Sequence, residues 1–129
     1  MNKIIYLDAA ASYLKPDVVI DTQVDYLRHN YANAGRGVCS RAQFTDNMIA
    51  DARRQIADFM NAETNQIVFT SGTTDAMNMI AKMLNLSADK TVAVSDLDHH
   101  SARLPFVETG ANVVLCPLGV NFNIDISAV

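Results

Sequence analysis

A chain of 129 residues, half of them hydrophobic and 19% charged, is long enough to bury a core and too apolar to stay disordered. Ten basic residues against fourteen acidic ones leave a net charge of −4, which excludes a general nucleic-acid binder, because no basic cluster can neutralise a row of phosphates. No stretch approaches the ~18 apolar residues of a membrane span, and the start, Met1 to Asp8, lacks the apolar run of a secretory leader, so a cytoplasmic chain is expected.

Residues 4–7 predict a short apolar strand or extended piece. Lys15-Pro16-Asp17 predicts a helix start with proline in the first turn, and Val18, Val19, Val24 and Leu27 form its apolar side. Residues 30–40 predict a loop, since Gly35 and Gly37 with flanking asparagines suit an irregular path. A helix is expected from Ala42 to Met60, where Met48 or Ile49, Ala52, Ile56 and Met60 recur at helical spacing and Asn61 is the stop. Gln66 to Thr70 predicts a strand and Ser71 to Asp75 a turn. The helix that follows carries Ala76, Met77, Ile80, Ala81 and Leu84. Thr91 to Ser95 is expected as a strand, then a polar stretch, a short helix broken or started near Pro105, and a third strand at Asn112 to Cys116. No repeat or linker divides the chain, so residues 1–129 are read as a single domain.

Strand, helix, strand, helix, strand over residues 66–116 indicates an α/β fold with a mostly parallel sheet. Ligands in such sheets sit beyond the carboxyl ends of the strands, and the polar clusters 70–75 and 95–101 both fall there. Thr70-Ser71-Gly72-Thr73-Thr74 joins a strand to a helix whose first N–H groups and dipole suit an anion. It reads either as a phosphate cup or as a threonine-capped helix start with no ligand. It is neither a Walker loop nor a GxGxxG turn. A histidine of Asp98-His99-His100 could stack on a planar ligand, move a proton or fill space. Arg36, between two glycines, offers a planar fork for a carboxylate or phosphate, or is a surface arginine. Adjacent His99 and His100 cannot share one helix face toward a metal, and no CxxC spacing exists, so no metal site is expected. Cys39 and Cys116 are expected as buried thiols rather than a disulfide.

These segments, in this order, resemble the class-V aminotransferase-like enzymes. Tyr6-Leu7-Asp8-Ala9-Ala10-Ala11-Ser12 is similar to their opening "YLDNAAT". Arg36-Gly37-Val38 resembles the "HRGVH" loop of the cysteine desulfurase and selenocysteine lyase branch. Residues 66–78 resemble "EIVFTRGTTEAIN", and Asp98-His99-His100-Ser101 with Pro105 resembles "EHHSNIVPW". Asn123-Ile124-Asp125 stands where the family often has "GxID". The ordered set covers nearly the whole chain.

The resemblance implies the N-terminal part of a fold-type I large domain that binds pyridoxal 5'-phosphate (PLP), left incomplete at this length. By position, Gly72, Thr73 and Thr74 would bind the cofactor phosphate, and His99 would stack on the pyridine ring and serve as the catalytic histidine. Arg36 and His100 would face the substrate. The implied activity removes sulfur from L-cysteine, or selenium from selenocysteine, in a homodimer that hands it to an acceptor protein. Gly35, Ala9 and Cys39 depart from the family's histidine, asparagine and histidine, which touches the substrate side more than the phosphate cup. None of Lys3, Lys15, Lys82 or Lys90 lies in the motif of the lysine that holds the cofactor's aldehyde, so the chain alone is expected to be inactive. An unfinished sheet exposes an edge and an uncovered face, so it is also expected to be poorly stable and prone to associate with itself or with a C-terminal part. The other readings are a short, non-catalytic PLP- or phosphate-binding protein that works with a partner, and a class-V aminotransferase, epimerase or lyase acting on another substrate.

Overall fold

The computed structural model describes residues 5–124. Ile4 of the first expected strand and Asp125 of the last motif lie outside the described residues. The chain divides into two compact units, Met1–Ile67 and Val68–Val129.

In the first unit, residues 5–7 carry no regular secondary structure. The segment closes on itself at a turn, with the Tyr6 hydroxyl against the carbonyls of Asp8 and Ser12. Helix α1 spans Asp17–Asp25. Pro16 is its N-cap rather than a first-turn residue, because its ψ of 146° is extended and only its ring-fixed φ suits a helix. The helix widens into a π-helical turn over Tyr26–Asn30. Helix α2 runs Ser40–Met60, two residues longer at its start than the apolar spacing marks, and stops at Asn61 in the left-handed conformation (φ 52°, ψ 48°). Cys39 precedes α2 and is exposed, not buried, because it sits outside the helix's packed face.

The packed centre of this unit is small: Ala42, Ala57 and Thr45. Thr45 is buried without cost to its hydroxyl, which lies 3.0 Å from the Arg41 carbonyl and 3.2 Å from the Tyr26 hydroxyl. The loop before α2 is held on that helix twice. The Gly35 N–H donates to the Asp46 carboxylate at 2.7 Å, and Gly37 lies so close to Ala42 that a Cβ added there would fall 2.1 Å from the alanine's own.

In the second unit, strands β1 (Thr91–Ser95) and β2 (Asn112–Cys116) pair in parallel, Thr91 opposite Asn112 through Ser95 opposite Cys116. Helix α3 (Thr73–Met83) packs on α4 (His100–Val107), and α4 packs on both strands. Ala81, Val94, Pro105, Phe106 and Cys116 are buried. Pro105 lies inside α4, where it removes one helical N–H donor, so the expected break is instead a helix that carries its proline into the core.

The expected strand at 66–70 is not a strand. Gln66 ends a 3₁₀ turn, Thr64–Gln66, and its side chain accepts the Glu63 N–H at 2.8 Å. Residues 67–70 carry no regular secondary structure. An apolar run supplies strand propensity but not a ladder, and the sheet among the described residues has two strands.

Much apolar surface faces solvent: Val38 is 94% exposed, Leu7 89% and Phe59 87%. Surfaces of this kind drive association. Light scattering of the 129-residue chain should show mass rising with concentration, together with binding of an apolar dye; a dye-free monomer with a cooperative melt is the contrary result. Gly37→Ala should lower the denaturant midpoint of the chain by the equivalent of about 1–3 kcal/mol, the usual cost of overpacking.

Candidate functional site

The site is built at the start of α3. Gly72 enters the helix with φ 157° and ψ −178°, a combination open mainly to glycine. It is the N-cap, and no side chain caps this end. The first-turn N–H groups therefore face outward with the positive end of the helix dipole. Asp75 folds back instead, its carboxylate accepting both the N–H and the hydroxyl of Ser71 at 3.1 Å. The Thr70 hydroxyl donates to the Gly72 carbonyl at 3.2 Å, and the Asn78 amide donates to the Thr74 carbonyl at 2.8 Å. The threonine-capped alternative is thus not what forms: glycine holds the cap position and Thr73 and Thr74 are the first helical residues.

His99 is placed by the turn that leaves β1. The Asp98 carboxylate accepts the Ser95 N–H at 2.9 Å, the Ser95 hydroxyl accepts the Leu97 N–H at 3.1 Å, and the Asp98 N–H donates to the Ser95 carbonyl at 3.1 Å. His99 then caps α4 with its own ring, Nδ1 accepting the Ser101 N–H at 3.2 Å.

Residues 71–75 line one open cleft of about 430 Å³ together with His99 and Ser101. Gly72, Thr73, Thr74 and His99 are therefore brought together as expected. His100 lines an adjoining cleft of about 320 Å³ with Thr74, Asn78, His99 and apolar Leu104 and Pro105. The two histidine rings stand 6.0 Å apart, tilted by 52°. Arg36 lies in the first unit, on the loop that Gly35 ties to Asp46. Ser71 belongs to the stretch that the sequence reads as a phosphate cup, whereas Asp75 and Ser101 are site residues that the sequence did not single out as such. The acidic residue three places after the glycine cap was the available signal for Asp75, since that spacing lets a side chain reach back to the helix entry. Among the described residues, no three His, Cys, Asp or Glu side chains gather in a way that could hold a metal ion, and no helix is long and apolar enough to cross a membrane.

The site is thus an open helix entry beside a histidine that follows a parallel strand, on an α/β frame. Residues 5–129 match the aminotransferase class-V family, and the chain belongs to it. The chain is 31% identical to a cysteine desulfurase of Yersinia pestis (strain Pestoides F) over 133 aligned residues, 97% of this chain and 33% of that protein. It is 35% identical to a probable cysteine desulfurase of Methanothermobacter thermautotrophicus over 112, or 84% of this chain and 28% of that one. Among solved structures, the apo cysteine desulfurase of Thermococcus onnurineus superposes with a TM-score of 0.87 at 28% identity, covering 96% of this chain and 32% of that one. A cysteine desulfurase of Escherichia coli superposes at 0.76 and 31% identity, covering 95% and 33%. The chain thus spans about a third of the length of the relatives it matches, and its α/β fold with a parallel strand pair is the fold-type I architecture of that stretch.

Gly72→Ala tests how the entry is held. A Cβ at Gly72 meets nothing within 4 Å, so its cost is backbone conformation alone, about 1–3 kcal/mol. The variant should melt earlier and exchange the Ser71 amide hydrogen faster, while an unchanged Ser71 exchange rate would show that the turn does not depend on glycine.

Proposed function

We propose that this chain supplies the cofactor-phosphate site of a PLP-dependent cysteine desulfurase. The observation that carries the reading is the uncapped entry of α3, Gly72-Thr73-Thr74, facing the same cleft as His99. The residues present fit a phosphate: open N–H donors at a helix N-terminus, with the Thr73 and Thr74 hydroxyls beside them. When bound, PLP supplies an aldehyde that captures an amino group and a ring that accepts electrons from the neighbouring carbon.

In this reading Thr74 donates its hydroxyl to the phosphate, and Gly72 lets the backbone approach closely. His99 lies against the ring and holds or moves a proton at an imidazole nitrogen. His100 faces the substrate, an amino acid carrying sulfur or selenium; Arg36 keeps a substrate-side role on its motif alone. A homodimer, a sulfur-acceptor partner and a cytoplasmic setting complete the proposal. Support for these comes from relatives that bear the name cysteine desulfurase and, for association, from the exposed apolar surface. No lysine lines either cleft, so the 129-residue chain is expected to bind PLP weakly and reversibly and not to catalyse.

Equilibrium dialysis followed by absorbance checks this. PLP should be retained more strongly than pyridoxal, which lacks the phosphate. Thr74→Ala should lose several-fold in affinity, in keeping with one hydrogen bond of about 1 kcal/mol. Equal retention of PLP and pyridoxal, or indifference to Thr74→Ala, would remove the phosphate cup from the reading. An absorbing adduct that survives dialysis would contradict the absence of a cofactor lysine here.

A further inference from the structure

We infer that Ser101 is a positioning residue for His99, fixing the neutral imidazole with its proton on Nε2 and Nδ1 bare. The Ser101 backbone N–H can only donate, and it points at Nδ1 from 3.2 Å. The Ser101 hydroxyl lies 2.9 Å from the same nitrogen. A proton on Nδ1 would confront the amide hydrogen, so Nδ1 must present its lone pair, and the hydroxyl then donates as well. The two bonds do two things at once. They close the N-terminus of α4, whose N-cap is His99 itself, and they hold the ring beside the 71–75 entry with the Nε2–H as its remaining polar edge.

His29 gives an opposite case in the same chain. Its Nδ1 lies 2.8 Å from the Asp25 carboxylate, which only accepts, so that nitrogen carries the proton. One sequence therefore holds two histidines in opposite tautomers, set by whether a donor or an acceptor faces Nδ1. The consequence for chemistry at His99 rests on the cofactor reading above: a group lying over the ring edge meets an Nε2–H donor, not a lone pair. The tautomer itself does not depend on that reading.

The test is long-range ¹H–¹⁵N spectroscopy of the full chain with labelled histidine, at pH about 8.5, roughly two units above the ordinary histidine pKa. His99 should show a pyridine-like Nδ1 and a pyrrole-like Nε2, with His29 reversed. Ser101→Ala keeps the backbone N–H but loses the hydroxyl, so the His99 nitrogen shifts should move part of the way toward the averaged values of a free ring while Nδ1 stays the more pyridine-like nitrogen. Ser101→Thr should restore them, and far-ultraviolet circular dichroism should stay the same across the three proteins. Averaged shifts at His99 in the unmodified chain, a pyrrole-like Nδ1, or shifts blind to Ser101→Ala would each overturn the inference. PLP retention, measured separately, keeps the two ideas apart: a fixed Nε2–H in a chain that does not discriminate PLP from pyridoxal would sink the cofactor reading and leave this one standing.

Discussion

The packing of α3 against α4 is the constraint on which the site depends. Two helices that begin side by side bring two sets of unpaired N–H groups and two positive dipole ends to one place. The chain treats the two ends differently. At α3 a glycine occupies the cap and leaves the donors open. At α4 the histidine ring closes the end from within. One helix start is thereby left open, while the other is closed by a ring that lines the same cleft.

Charge in the cleft is arranged with restraint. Asp75 is the one formally charged side chain lining it, and its carboxylate is engaged by Ser71. Attraction for an anion then rests on neutral donors and on a helix dipole, both of which act over short range in a solvent-open cleft. Under the proposed reading, such a site would select a tetrahedral oxyanion by geometry more than by charge. Its affinity depends on how far water is excluded, and here the cleft is open.

The sequence was legible where local spacing decides structure. The apolar repeat from Met48 to Met60 marked α2, and Asn61 marked its end. Strands β1 and β2 have the bounds that their apolar runs suggested, and Gly72 stood where the turn required it. The misses share a cause: each was decided by a partner that spacing does not reveal. Residues 66–70 have the composition of a strand, but a capping turn claims Gln66. Cys39 reads as a small apolar residue, yet it falls just outside the helix face that packs. Asp75 and Ser101 act through hydrogen bonds to a backbone N–H or a ring nitrogen within four residues of themselves. Those contacts depend on turn geometry rather than on composition, so an ordinary serine gives no warning of them.

The cleft is also drawn from one short stretch of chain. Its lining begins at Ser71 and ends at Ser101. Bringing these groups together takes only brief loop closures, whose entropic cost grows slowly with length. Contacts so near in sequence are also the kind that assemble fast. During synthesis the Gly72 turn emerges first, then β1, then the ring-bearing start of α4. The order of translation is thus the order in which the cleft can be built, and no far-off segment has to arrive before its polar groups meet.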